Sequence, residues 1–255
     1  MTGTDRMHFL LGGHDLEMLT VRDLLVREGI PFSDLHLRWD NAFLSSYAQV
    51  LGELPPDCMV YGIELQEDIV LPANYRRIDH QNQCSHLPSV LEQVAGLLQI
   101  PMDRHMQLVA ANDRAYIPGL VAMGATKEEI DEIRLADRRA QGVTDEEERL
   151  AEKAIAENLS RTGRLITVKA LCPRFSPICD RLYPYTALLV YTGNEWMYYG
   201  EGAKSVREMF AAELQQGKLF YGGGDNGYIG IKQDCCSAAE ITEMIERIKN
   251  CKYGE

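Results

Sequence analysis

Residues 7–18 read Met-His-Phe-Leu-Leu-Gly-Gly-His-Asp-Leu-Glu-Met, and this stretch decides the fold. Met7–Leu11 is a short apolar run, the mark of a buried strand. Gly12-Gly13 ends it, and apolar residues at 16, 19, 21, 24 and 25 then keep helical spacing from about Asp15 to Glu28. The pattern recurs downstream. Cys58–Leu65 (CMVYGIEL) follows Pro55-Pro56 as a second strand, and Tyr75–Asp79 (YRRID) reads as a third. Ser89 and Glu92 are spaced as a capping box opening a helix to Ile100. Leu108–Ala111 reads as a fourth strand or as a buried helix segment. Short apolar strands alternating with amphipathic helices predict an α/β fold with a parallel sheet.

Beyond Thr126 the pattern changes. Thr126 with Glu129, and Thr144 with Glu147, mark two charged helices separated at Gly142-Val143, a helical connector reaching Ser160. From Leu165 strands dominate. Ala187–Thr192 and Trp196–Tyr199 look like a hairpin around Gly193-Asn194, and Ala238–Lys249 closes the chain as an amphipathic helix. Two domains are expected: 1–160, a parallel-sheet domain with its connector, and 163–255, a smaller α+β domain.

Charge is distributed unevenly. The 255 residues carry 26 basic and 38 acidic side chains, a net −12. Residues 163–255 hold 11 of each sign, so 1–162 hold 15 basic and 27 acidic residues and the whole excess. An acidic surface repels a phosphate backbone, which disfavours long nucleic acids as partners. Acidic residues converging in a cleft instead attract divalent cations. Seven cysteines, an odd number without a CxxC, argue for reduced thiols and a cytoplasmic protein. No apolar run nears the roughly 20 residues of a membrane helix, and no signal peptide is evident at the N-terminus. The apolar positions of the connector offer a surface for a homodimer.

The chemistry-bearing residues follow the apolar segments. The first run ends in His14-Asp15-Leu16-Glu17, the second carries Glu64, the third ends in Asp79-His80-Gln81, and Leu108–Ala111 leads to Asp113-Arg114. Singly, each is an ordinary turn or cap residue, though a carboxylate such as Glu64 within an apolar run is expensive to bury without a partner. Together they matter, because open parallel sheets bind ligands beyond the carboxyl ends of their strands. Carboxylate oxygens with imidazole nitrogens suit manganese, magnesium or zinc. Two such ions about 3.5–4 Å apart can activate water and stabilise the leaving oxygen of a phosphate ester. A second feature is Gly222-Gly223-Gly224-Asp225-Asn226, whose backbone N–H groups can cradle an anion, although Asp225 opposes it. Trp39 and Tyr116 either line a pocket or simply pack.

This order resembles the DHH phosphoesterase family. LLGGHDLEM is similar to its first motif, with Asp15 and Glu17 in the acidic places; VYGIEL offers Glu64 for the second; IDHQN is similar to the naming Asp-His-His motif, with Gln81 in place of the last histidine; VAAND offers Asp113 for the fourth. YGGGDNGYIGI is similar to the glycine-rich motif of the family's C-terminal associated domain, with Asp225 where a histidine is usual.

The resemblance implies a metal-dependent phosphoesterase acting on a small phosphorylated or nucleotide substrate. His14, Asp15, Glu17, Glu64, Asp79 and Asp113 would be metal ligands, manganese being the first choice. His80 and Arg114 would be catalytic, His80 as ligand or acid and Arg114 facing the phosphate. Gly222, Gly223, Gly224 and Asn226 would bind substrate. Glu17, Glu64 and Gln81 depart from the family pattern. They favour the alternative of a non-catalytic ligand- or protein-binding module with a degenerate metal site.

Overall fold

The structure is a computed structural model that describes residues 6–39, 41–232 and 234–251. The chain divides into two compact units, Met1–Gly142 and Val143–Glu255. The first contains β1 (Met7–Leu11), α1 (Leu16–Arg27), β2 (Phe32–Asp34), α2 (Ala48–Glu53), β3 (Met59–Ile63), β4 (Tyr75–Ile78), α3 (Val90–Leu98), α4 (Arg104–Ala122) and α5 (Lys127–Ala140). Its four strands lie in the order β2-β1-β3-β4, and all pair parallel, as the alternation of strands and helices predicts.

Both faces of this sheet are covered, which is why its strands read as unbroken apolar runs. Phe9 and Leu11 pack with Val21, Leu25, Leu91, Val94 and Val109. Leu10, pointing the other way along the strand, packs with Leu44, Tyr47, Val60 and Tyr75. The capping boxes at Ser89/Glu92 and Thr126/Glu129 are formed. The edge strand β2 has no strong sequence signal, since it is three residues long and only half-buried.

Leu108–Ala111 lies inside helix α4, so the strand option for this segment falls and Asp113 does not follow a strand. The run is buried against α1 and α3, and a short apolar run does not distinguish a strand from a covered helix turn. Helix α4 is broken at Ala115 (φ −150°, ψ 19°) and Tyr116 (φ 56°, ψ −148°). Pro118 supplies the cause: its ring collides with the carbonyl of the residue four positions earlier, Arg114, and it donates no N–H. Gly119 completes the break, because a Cβ there would stand 2.3 Å from the carbonyl oxygen of Ala111.

The second unit contains α6 (Asp145–Asn158), β5 (Leu159–Thr162), β6 (Leu165–Lys169), α7 (Ser176–Leu182), β7 (Ala187–Tyr191), β8 (Trp196–Gly200), α8 (Ala203–Met209), α9 (Ala211–Gln215), β9 (Leu219–Gly222), β10 (Tyr228–Ile231) and α10 (Ala238–Lys249). The strand order is β5-β6-β7-β8-β10-β9, parallel between β6 and β7 and antiparallel elsewhere. Helix α6 packs Ala151 and Ala154 against Val168, Ile178 and Leu188 of its own unit. The division therefore falls at Gly142, whereas the sequence reading carries the first domain through residue 160. The end of the predicted helical connector is strand β5. All seven cysteines are free. Among the described residues no helix is long and apolar enough to cross a membrane.

Candidate metal centre

The centre is assembled from the carboxyl ends of three strands and the middle of one helix. Beyond β1 the chain passes so close to β3 that a Cβ on Gly12 would stand 2.7 Å from the carbonyl oxygen of Glu64. Asp15 then caps α1, its Oδ1 accepting a 2.9 Å hydrogen bond from the Met18 amide. Glu17, in the first turn of the helix, reaches across to α3, where its Oε1 accepts from the Leu91 amide at 2.9 Å. Both carboxylates thus sit at the positive ends of helices. Glu64 follows β3 in a left-handed conformation (φ 49°) uncommon for a side-chain-bearing residue. Asp79 and His80 follow β4.

The imidazole of His80 is the hub. Its Nε2 lies 2.7 Å from Asp113 Oδ2, 3.2 Å from Glu64 Oε1 and 3.7 Å from Glu17 Oε2. Among the described residues, donor atoms of Glu17, Glu64 and His80 meet within 4.8 Å of one another, and all three residues are buried. Gln81 joins them through its Nε2, 3.4 Å from Glu64 Oε1 and 3.3 Å from His80 Nε2. Its amide therefore occupies the cluster without supplying a further charge.

The electrostatics are those of crowded like charges out of water. Burial raises the Asp15 carboxyl to about 7 against the help of the Met18 amide, and the charges of Asp113, Glu64 and Asp137 add to the rise. Burial also pushes Glu17 well above the carboxylate range and raises Glu64. His80 is raised as well, for a different reason: burial opposes its charge, but the carboxylates of Asp113, Glu64 and Glu17 outweigh it and raise its affinity for a proton.

One imidazolium N–H cannot serve three carboxylates. Asp113 Oδ2, although in ion-pair contact with Nε2, is off line for a hydrogen bond, and this buried oxygen has no hydrogen-bond partner. An orphaned oxygen within a hard O/N donor set fits a divalent cation, which would neutralise several carboxylates at once.

Not every predicted ligand joins the hub. Asp79 is buried but turned to Arg77, whose Nε lies 2.9 Å from Oδ2, while Oδ1 accepts from the Gln81 amide at 2.7 Å. Asp79 thereby shapes the turn that presents His80. His14 makes an edge-on ring contact with His36, centroids 5.6 Å apart. The Arg114 guanidinium is half-exposed and 3.5 Å from Glu92 at the start of α3. In the second unit Gly223 and Gly224 adopt φ of 73° and 74°, where glycine is at ease, and Asp225 pairs with Lys204 at 3.7 Å.

A neighbouring polar cluster has only an indirect sequence signal. Arg134 of α5 donates to Asn112 Oδ1 at 2.8 Å and Asp137 Oδ2 at 2.7 Å, and stacks its guanidinium 4.2 Å from the Tyr116 ring centre. It braces the break in α4 immediately after Asp113. Pro118 inside an otherwise helical stretch is the sign that marks the break.

No protein-family model matches the chain, and no curated protein matches it. Solved structures similar to it include a pGpG-specific phosphodiesterase, PggH, from Vibrio cholerae, at 16% identity and TM-score 0.47 over 95% of this chain and 97% of that one. Another is RecJ from Thermus thermophilus in complex with Mn2+, at 10% identity and TM-score 0.45 over 95% of this chain and 51% of that one. A third is described as the DHH domain of a member of a family of ribosomal proteins, at 11% identity and TM-score 0.43 over 91% of this chain and 72% of that one.

Proposed function

We propose that the first unit is a divalent-metal centre hydrolysing phosphoesters, with a small phosphorylated or nucleotide compound as substrate. The observation that carries this reading is the meeting of buried donor atoms of Glu17, Glu64 and His80, from three separate elements, with Asp113 in contact with the same His80 Nε2. Their order along the chain, which resembles the DHH motifs, supports the choice of phosphate chemistry. Manganese is preferred for a site of carboxylates and one imidazole, with magnesium and zinc as alternatives.

Glu17 Oε2, Glu64 Oε1, Asp113 Oδ2 and His80 Nε2 are the atoms assigned to the ion. Asp15 lies close enough for its charge to be felt by the same group. When bound, the ion supplies Lewis acidity for activating water and for stabilising the leaving oxygen. His80 would have to lose its Nε2 proton to hold the ion through that atom, and the proton would leave to solvent as the ion is taken up. Arg114 is assigned the phosphate's negative charge. Asp79 keeps a supporting role, holding the turn to His80. On the second unit, the backbone of Gly222–Gly224 and Asn226 is assigned an anionic part of a ligand.

The test is hydrolysis of a phosphoester panel by protein stripped of metal and reloaded with Mn2+. Glu64→Gln and Asp113→Asn should each lose at least about 100-fold in kcat, the scale of losing charge stabilisation in a transition state. Full manganese-dependent turnover by both variants would remove the assignment.

One observation favours a second reading. When protonated, the state its surroundings favour, His80 itself provides a cation between Glu17, Glu64 and Asp113. In a non-catalytic binding module that ion pair would be the finished structure. Elemental analysis separates the two: the module retains no stoichiometric metal after incubation with manganese and desalting.

A further inference from the structure

Trp39 stands out among the exposed residues of the first unit. It is 43% exposed, and hydrogen bonds hold described residues on either side of it. The buried Tyr47 hydroxyl donates to the Leu11 carbonyl at 2.5 Å and accepts from the Leu35 amide at 3.1 Å, tying the segment to the end of β1. Asn41 closes the turn, its Oδ1 accepting from the Arg38 amide at 2.8 Å and its own amide donating to the Arg38 carbonyl at 2.9 Å. The six-membered ring of Trp39 is seated on Gly13, whose missing Cβ would stand 2.7 Å from Cη2. Gly13 has φ 88°, so a side chain is excluded there twice over, by space and by backbone conformation.

This seat adjoins the metal centre. A Cβ on Gly12, the preceding residue, would stand 2.7 Å from the carbonyl oxygen of Glu64, and Asp15 follows two residues after Gly13. An indole packed on Gly13, partly open to solvent and beside the turn that leads to Asp15, offers a face for a planar ring joined to a phosphate at the proposed centre. Arg38, exposed in the same turn, adds positive charge. Stacking on an aromatic side chain is indifferent to which base is presented, because every base has a π-face.

We infer that Trp39 is a nucleobase platform, which makes the substrate class a nucleotide or short oligonucleotide ester rather than a sugar or inorganic phosphate. This rests on the phosphoesterase reading for the role of the neighbouring centre, but not for the binding itself.

Fluorescence tests it without turnover. The chain has two tryptophans, and the other, Trp196, is fully buried, so quenching by a bound base reports on Trp39. AMP and GMP should quench the emission saturably, ribose 5-phosphate should not, and the effect should vanish in Trp39→Phe. In turnover, Trp39→Ala should lower kcat/KM for a nucleotidyl ester relative to glycerol phosphate by about tenfold, within the range of one lost base–aromatic stack, and Trp39→Tyr should restore most of it. Equal response to AMP and ribose 5-phosphate, or no response to either, overturns the platform. Base-dependent quenching by a protein that hydrolyses no phosphoester keeps the platform and removes the hydrolase.

Discussion

Asp15 shows what the centre costs the fold. A carboxyl raised from 3.8 to about 7 keeps its proton in the folded chain where the unfolded chain has lost it. Between about pH 4 and pH 7 the native state therefore binds more protons, and its stability falls as pH rises. Fully developed, above pH 7, the penalty approaches about 4 kcal/mol at 1.36 kcal/mol per unit. His80 has the opposite sign: its raised affinity contributes stability that is present below pH 6.5 and is lost as pH rises through its folded value. Asp15→Asn isolates the first effect, since asparagine caps helices as well as aspartate does. In chelator, urea unfolding should show the variant more stable than the parent at pH 8 by a few kcal/mol, with the gap closing toward pH 4. A gap independent of pH would contradict the electrostatic account.

At the scale of elements, the site depends on a helix that is not continuous. The break at Ala115–Tyr116 is held by Arg134, which joins Asn112, Asp137 and the Tyr116 ring in one buried contact. Replacing it with an apolar residue of similar length removes the positive charge beside the buried Asp137 carboxylate and leaves its Oδ2 the Gln141 amide at 3.1 Å. Arg134→Met should accordingly cost about 3–5 kcal/mol in urea unfolding, and Arg134→Lys should recover only part, lacking the planar fork. A loss below about 1 kcal/mol would show that the brace is dispensable.

The same helix marks the limit of what the sequence discloses. The turns after β1, β3 and β4 are legible because strand-to-helix punctuation is local: glycines, a capping aspartate, a carboxylate ending an apolar run. Asp113 is singled out by its order in the chain, but whether Leu108–Ala111 before it is a strand or a buried helix turn is not legible, since the run is apolar because it is covered, not because it is extended. Asp79 is read as a ligand because nothing local reveals that Arg77, two residues earlier on the same strand face, claims its carboxylate. That competition exists only once the strand is formed.

At the scale of the molecule, the acidic excess of residues 1–162 belongs mostly to the unit that holds the cluster, and a field of that sign concentrates cations near it. Like charges packed around one imidazole leave the metal-free first unit short of its full stability. A divalent ion that binds only the folded state should stabilise it by about 2.7 kcal/mol at 100 times its dissociation constant, a rise of several degrees in Tm. Scanning calorimetry with Mn2+ against chelator checks this, and Glu64→Gln should flatten the response. An unchanged Tm for the parent would exclude a site built from these residues.

The hydrogen bond from the Leu91 amide to Glu17 constrains the centre further. With Oε1 anchored to a neighbouring helix, Glu17 has a single oxygen left to offer, at a position set by packing rather than by whatever occupies the cleft. Asp113 has no such anchor on Oδ2, and it stands beside the discontinuity in α4. In the proposed metal centre, packing thus sets the position of the Glu17 oxygen, while no hydrogen bond sets that of Asp113 Oδ2.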